Sequence, residues 1–132
     1  MSRSPLSSAL PATYWQAALR GIKGCCPRCG EGRLFRAFLK PVDQCPACAQ
    51  DWSKQCADDF PAYIAILISG HLLAPLIIVL SLEFDLSSAA MFAIIVPLAL
   101  VMMLGTLQPA KGAVIATQWW HGLHGFVRER RV

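Results

Sequence analysis

The hydrophobic pattern divides the chain into two unlike halves. Ala62–Leu82 and Ser87–Leu107 contain no Asp, Glu, Lys or Arg. Each run covers about 20 residues, enough as a helix at about 1.5 Å per residue to cross a hydrocarbon layer of about 30 Å. Both runs are apolar on every side, unlike the one-sided stripe of a surface helix. Glu83-Phe84-Asp85-Leu86 joins them. The pattern predicts a two-helix transmembrane hairpin over 58–107, with spans near 62–82 and 87–107.

Outside the hairpin the periodicities are short. Tyr14, Trp15, Ala18 and Leu19 form one apolar face of a helix in an N-terminal interfacial arm, residues 1–24. Arg33–Leu39 alternates loosely, which predicts a small β-hairpin within 31–44 that turns at Pro41-Val42-Asp43. Gln108-Pro109-Ala110-Lys111-Gly112 reads as a polar break. Ala113–Phe126 then reads as an interfacial helix with Trp119 and Trp120 in the head-group layer, followed by a basic tail, so that 108–132 forms a unit. The fold class expected is a mainly α membrane protein with a small β head.

Charge orients this arrangement. All 12 Lys and Arg lie outside the connecting loop: Arg3, Arg20, Lys23, Arg28, Arg33, Arg36, Lys40 and Lys54 precede the first run, and Lys111, Arg128, Arg130 and Arg131 follow the second. The loop carries only acids. The positive-inside rule then places both termini in the cytoplasm, in a multi-pass membrane protein. The formal net charge of +4 is accounted for by topology and anionic lipid. Residues 1–30 hold no acid, as in organellar transit peptides, but Pro5, Pro11 and Gln16 interrupt any secretory signal core.

Cysteine chemistry follows from that orientation. In a reducing cytoplasm, paired cysteines favour a metal over disulfides. Cys26-Pro27-Arg28-Cys29 and Cys45-Pro46-Ala47-Cys48 are separated by 15 residues, the spacing of a four-thiolate zinc ribbon, here spanning 25–57. Pro27 pre-sets the first turn, and Gly30 tolerates positive φ after the second ligand. Two short strands do not fold alone, so bound metal supplies stability. Zinc is the expected cofactor; rubredoxin-type iron, with the same ligands, is the alternative. Four thiolates close the coordination sphere and leave no open catalytic position. Cys25 and Cys56 are spare. They admit a second function class, metal or redox handling by the head.

Three further residues are candidates. Asp58 and Asp59 precede Pro61, where carboxylates cap a helix N-terminus or serve recognition. His71 lies midway along the first run, a polar ring expected to face a partner within the membrane. Pro75, four residues on, frees the His71 carbonyl. His121 and His124 share a helix face, and Met91, Met102 and Met103 suit packing. No nucleophile–base pair or phosphate loop is present, so no catalytic residue and no small-molecule substrate are assigned. Phe35 and Phe38 are the only aromatics between the knuckles, a poor stacking platform, so no nucleic-acid partner is expected.

Leu19-Arg20-Gly21, Cys26–Phe35, Cys45-Pro46-x-Cys48, Asp58-Asp59-x-Pro61-Ala62-Tyr63, Gly70-His71-Leu72 and Lys111-Gly112-Ala113 together resemble domain-of-unknown-function family 983, across roughly residues 19–123. The resemblance implies a small bacterial inner-membrane protein and carries the metal-ligand expectation to Cys26, Cys29, Cys45 and Cys48. It also implies a gene encoded close to those of haem–copper oxidase subunits and assembly factors. The expected function is therefore a non-enzymatic accessory protein whose partners are the bilayer and a membrane complex, such as a terminal oxidase. The chain departs from the family pattern at Cys25, where a basic residue is usual, and at Ala49 and Phe60, where glycine is usual.

Overall fold

A computed structural model of the protein describes residues 10–56 and 59–127. The elements run α1 (Tyr14–Ile22), β1 (Phe35–Ala37), β2 (Lys40–Pro41), α2 (Phe60–Glu83) and α3 (Ser88–His121). The protein is mainly helical, with two long apolar helices and a two-stranded sheet beside four cysteines.

Helix α1 starts where Thr13 Oγ1 accepts from the Gln16 amide (3.2 Å) and Gln16 Oε1 accepts from the Ala12 amide (2.6 Å), which satisfies two otherwise orphaned donors. It ends in a paired C-cap. Cys25 N–H donates to Arg20 O (2.9 Å) and Gly24 N–H to Gly21 O (3.0 Å), with Gly24 at φ 79°, a conformation that favours glycine. This cap delivers the chain directly into the first cysteine pair.

The hairpin between the cysteine pairs is shorter than its sequence suggests. β1 and β2 are antiparallel with an irregular register, Phe35 opposite Pro41 and Ala37 opposite Lys40. The reversal falls at Phe38-Leu39, not at Pro41-Val42-Asp43, and Leu39 adopts φ 59°. Contacts from α3 hold it there: Leu39 N–H donates to Gln108 Oε1 (3.3 Å), and Lys111 Nζ donates to Leu39 O (2.7 Å).

Helices α2 and α3 are long and apolar enough to cross a membrane. Pro61 lies in the first turn of α2, and Ser87 Oγ caps α3 by accepting from Ala90 N–H (3.3 Å). Pro61, Ala65, Ser69 and Leu73 recur every fourth residue as the buried face of α2, and small residues at Ala65 and Ser69 allow close helix approach. In the most apolar 18-residue window only 17% of α2, and none of α3, is buried. A soluble core helix would have most of that surface covered.

The expected break near Gly105–Gly112 does not occur. α3 continues for 34 residues through Pro97 and Pro109, about 51 Å at 1.5 Å per residue. Its last third belongs to the head. Ala110, Gly112, Ile115, Ala116, Gln118 and Trp119 are buried there, a spacing that turns one face toward α1 and the cysteine region. Trp119 is therefore a core residue and not a head-group anchor. Its ring lies 6.2 Å from that of Trp52, which in turn lies 5.7 Å from Phe126. The arm also differs from its expectation. Ala17, Ala18 and Gly21 of α1 are buried, and Trp15 and Leu19 are exposed, because the small residues take the face against α3.

Candidate metal centre

The head consists of two equivalent turns. Each begins with a backbone bridge, Cys25 with Arg33 and Gln44 with Asp51. In the first, Cys26 N–H donates to Gly32 O (2.8 Å) and Gly30 N–H to Cys26 O (2.7 Å); in the second, Cys45 N–H donates to Gln50 O (2.9 Å) and Ala49 N–H to Cys45 O (2.9 Å). The residue after each second cysteine is left-handed, Gly30 at φ 74° and Ala49 at φ 61°. A side chain costs about 1–2 kcal/mol in that region, so Ala49 is the strained member of the pair.

These turns bring Cys26, Cys29, Cys45 and Cys48 together, all buried, with sulfurs within 4.8 Å of one another. Cys26 Sγ lies 3.7 Å from Cys48 Sγ, and Cys29 Sγ lies 3.7 Å from Cys45 Sγ. A tetrahedron with metal–sulfur bonds of about 2.3 Å has edges of about 3.8 Å, so the four sulfurs can hold one metal ion. Gly32 N–H points at Cys29 Sγ and Cys48 N–H at Cys45 Sγ, each at 3.5 Å, the outer contacts that soften thiolate charge. Among the described residues, no other group of three or more His, Cys, Asp or Glu side chains converges.

Burial raises two of the four thiols. It pushes the Cys26 thiol well up, with the neighbouring sulfurs of Cys48 and Cys45 adding repulsion against ionisation. Burial also raises Cys48. At Cys29 burial works in the same direction but is outweighed by amide donors from Gly32 and Glu31 and by thiol contacts, so its pKa falls to about 7. A dry pocket of four sulfurs is a poor place for bare thiolates and a good one for thiolates around a cation.

Several supporting residues carry no motif. A Cβ on Gly32 would collide with Cys45 Sγ, so that glycine makes room for a ligand. Arg20 reaches across from α1 and donates to Arg28 O (3.0 Å) and Pro27 O (3.4 Å). Buried Gln118 on α3 clasps the chain leaving the head: its Oε1 accepts from Cys56 N–H (3.0 Å) and its Nε2 donates to Cys56 O. Glycine before a turn and basic residues near cysteines were visible signals for Gly32 and Arg20. Nothing local marks Gln118.

The other candidates lie apart from this centre. His71 is exposed on α2, and its Nδ1 bonds to the Leu67 carbonyl at 2.7 Å, so the proton sits on Nδ1. Asp59 occupies the N-cap position of α2 but its side chain makes no capping hydrogen bond; Pro61 already removes one orphan donor there. Asp58 lies outside the described residues. Cys25 and Cys56 are half-buried and form no disulfide. His121 lies against Tyr14, with ring centroids 5.8 Å apart and planes tilted by 42°.

The chain belongs to the DUF983 family of proteins of unknown function, whose model matches residues 35–119. That segment contains the second cysteine pair, both strands, α2 and most of α3. No curated protein and no solved structure matches the chain.

Proposed function

We propose that this is a non-enzymatic accessory protein of a bacterial inner membrane. Zinc on Cys26, Cys29, Cys45 and Cys48 rigidifies a ribbon-like cytoplasmic head, and α2 with the first two-thirds of α3 crosses the bilayer. The loop at Asp85 faces outward and both termini face the cytoplasm. The observation that carries this reading is the shared body of head and helix. Four buried thiols sit in a unit whose core residues include Ile115 and Trp119 of α3, so metal order becomes order at the membrane edge. A four-thiolate zinc ion has no open coordination position for substrate, which supports a scaffold over an enzyme. The charge asymmetry supports the orientation.

The partner is a second membrane complex. A haem–copper oxidase or its assembly factors is the specific case to try first, on family resemblance alone. Purification from native membranes in mild detergent, with elemental analysis and mass spectrometry on one fraction, tests the reading. Carbonate-resistant membrane association, one zinc per chain and oxidase subunits in stable excess would support it. Recovery in the soluble fraction would remove the membrane reading, a metal-free chain the zinc reading, and a chain purifying alone the complex.

A further inference from the structure

Where the hairpin tip meets α3 there is an open cleft of about 340 Å³, within the range of about 300–1,000 Å³ that accommodates small ligands. Arg36, Lys40 and Lys111 line it, opposed by one carboxylate, Asp43. Lys111 is fixed: its Nζ donates to Leu39 O at 2.7 Å, which leaves two of its three N–H groups free to donate. Two other lining residues have unused hydrogen-bonding capacity. Trp52 is 0% exposed with no partner for its indole Nε1–H, and Gln55 Oε1 is buried and unpaired. Buried polar groups are almost always paired, and these two belong to residues that line the cationic cleft.

Three cations suit a phosphate. An acceptor such as Gln55 Oε1 suits a hydroxyl on the esterifying alcohol. We propose that this cleft binds a phosphate ester of a polyol. Lys111 is the first charged residue after Asp85, at the end of the apolar part of α3, which favours a glycerol-type anionic lipid headgroup as the source over a free phosphate ester. The lipid source rests on the membrane reading above; binding of a free ester does not.

The test uses the full-length, metal-loaded chain in neutral detergent, followed by native mass spectrometry during titration. The probes are short-chain phosphatidylglycerol, short-chain phosphatidylcholine and glycerol 3-phosphate. The variants are Arg36→Gln/Lys40→Gln, which removes two cleft cations, and Lys23→Gln/Arg33→Gln, which removes two cations elsewhere. Retained metal in the same spectra reports an intact head. Saturable phosphatidylglycerol binding, preferred over phosphatidylcholine and weakened at least tenfold only in the cleft variant, establishes the lipid headgroup. Glycerol 3-phosphate binding with the same variant dependence, without lipid binding, establishes the site with a free ester as ligand. Equal binding of both lipids, equal binding by both variants, or no binding of any probe overturns the proposal. A chain that carbonate releases from membranes yet binds glycerol 3-phosphate separates failure of the membrane reading from failure of the cleft.

Discussion

Gly21 of α1 and Gly112 of α3 lie backbone against backbone. A Cβ on Gly21 would come within 2.9 Å of the Gly112 carbonyl carbon and collide with its oxygen, and a Cβ on Gly112 would collide with the Gly21 carbonyl. Ala17 and Ala116, four residues away on each helix, extend the small surface, both fully buried. This crossing seats α1 on α3, and Tyr14 Oη reinforces it at 2.8 Å from Thr117 Oγ1.

Gly112→Ala is therefore expected to destabilise the protein by about 1–3 kcal/mol, because the obstructing atoms are backbone and cannot rotate away. Gly70 and Gly105 meet nothing within 4 Å of an added Cβ. Gly70→Ala and Gly105→Ala should be neutral or stabilising by up to about 1 kcal/mol, from helix propensity. Thermal unfolding in detergent distinguishes Gly112→Ala from the other two.

The two cysteine turns make opposite predictions. Gly30→Ala places a side chain at φ 74° and within 2.8 Å of Arg20 Nε, and should cost about 1–2 kcal/mol or more. Ala49→Gly relieves a left-handed alanine at φ 61°; the gain, offset by greater freedom of the unfolded chain, should be between about 0 and 1 kcal/mol. Chemical denaturation of the metal-loaded protein measures both.

Arg20→Ala removes the donor to the Pro27 and Arg28 carbonyls while leaving all four ligands. Outer contacts of this kind are worth about 10–100-fold in metal affinity. The expected result is faster metal loss to a chelator with unchanged stoichiometry. Arg20→Lys should rescue only in part, since one ammonium on a flexible stem does not reproduce the planar fork.

Metal affinity should fall with pH. Burial keeps Cys26 and Cys48 protonated at neutral pH, and Cys29 takes up its proton below about 7. Zinc must expel these protons, and each contributes tenfold per pH unit. With two raised thiols the affinity should drop by at least about a hundredfold per unit, and more steeply below pH 7, where Cys29 joins. Stability conferred by metal is thus present at higher pH and lost on acidification. Competition with a chromophoric chelator across a pH series checks the slope.

Gln118→Leu deletes both hydrogen bonds to the part-buried Cys56 backbone. A loss of about 1–3 kcal/mol is expected, with amide exchange accelerated near Cys56 but not near Cys26. Uniform acceleration would mean that the head unfolds as one unit with α3.

The cysteine spacing, Gly30 and the two uncharged runs carried the metal cluster and both long helices, because ligand geometry, turn conformation and helix length are short-range properties. The rest was not legible in that way. Pro109 with its polar neighbours reads as a break, yet α3 passes through it because packing against α1 and the head outweighs one lost hydrogen bond. Trp119 reads as a lipid anchor, yet it is buried in the core with its ring against Trp52.

The sequence by itself determined that four thiols can share one ion and that two long runs are apolar on every side. Only the tertiary structure decided that head and helix are one body. Its decisive contacts join Leu39 to Lys111 across 72 residues, Cys56 to Gln118 across 62 and Tyr14 to Thr117 across 103. No local period encodes such pairs, because their free energy exists only once the chain has closed and the backbones of Gly21 and Gly112 have met.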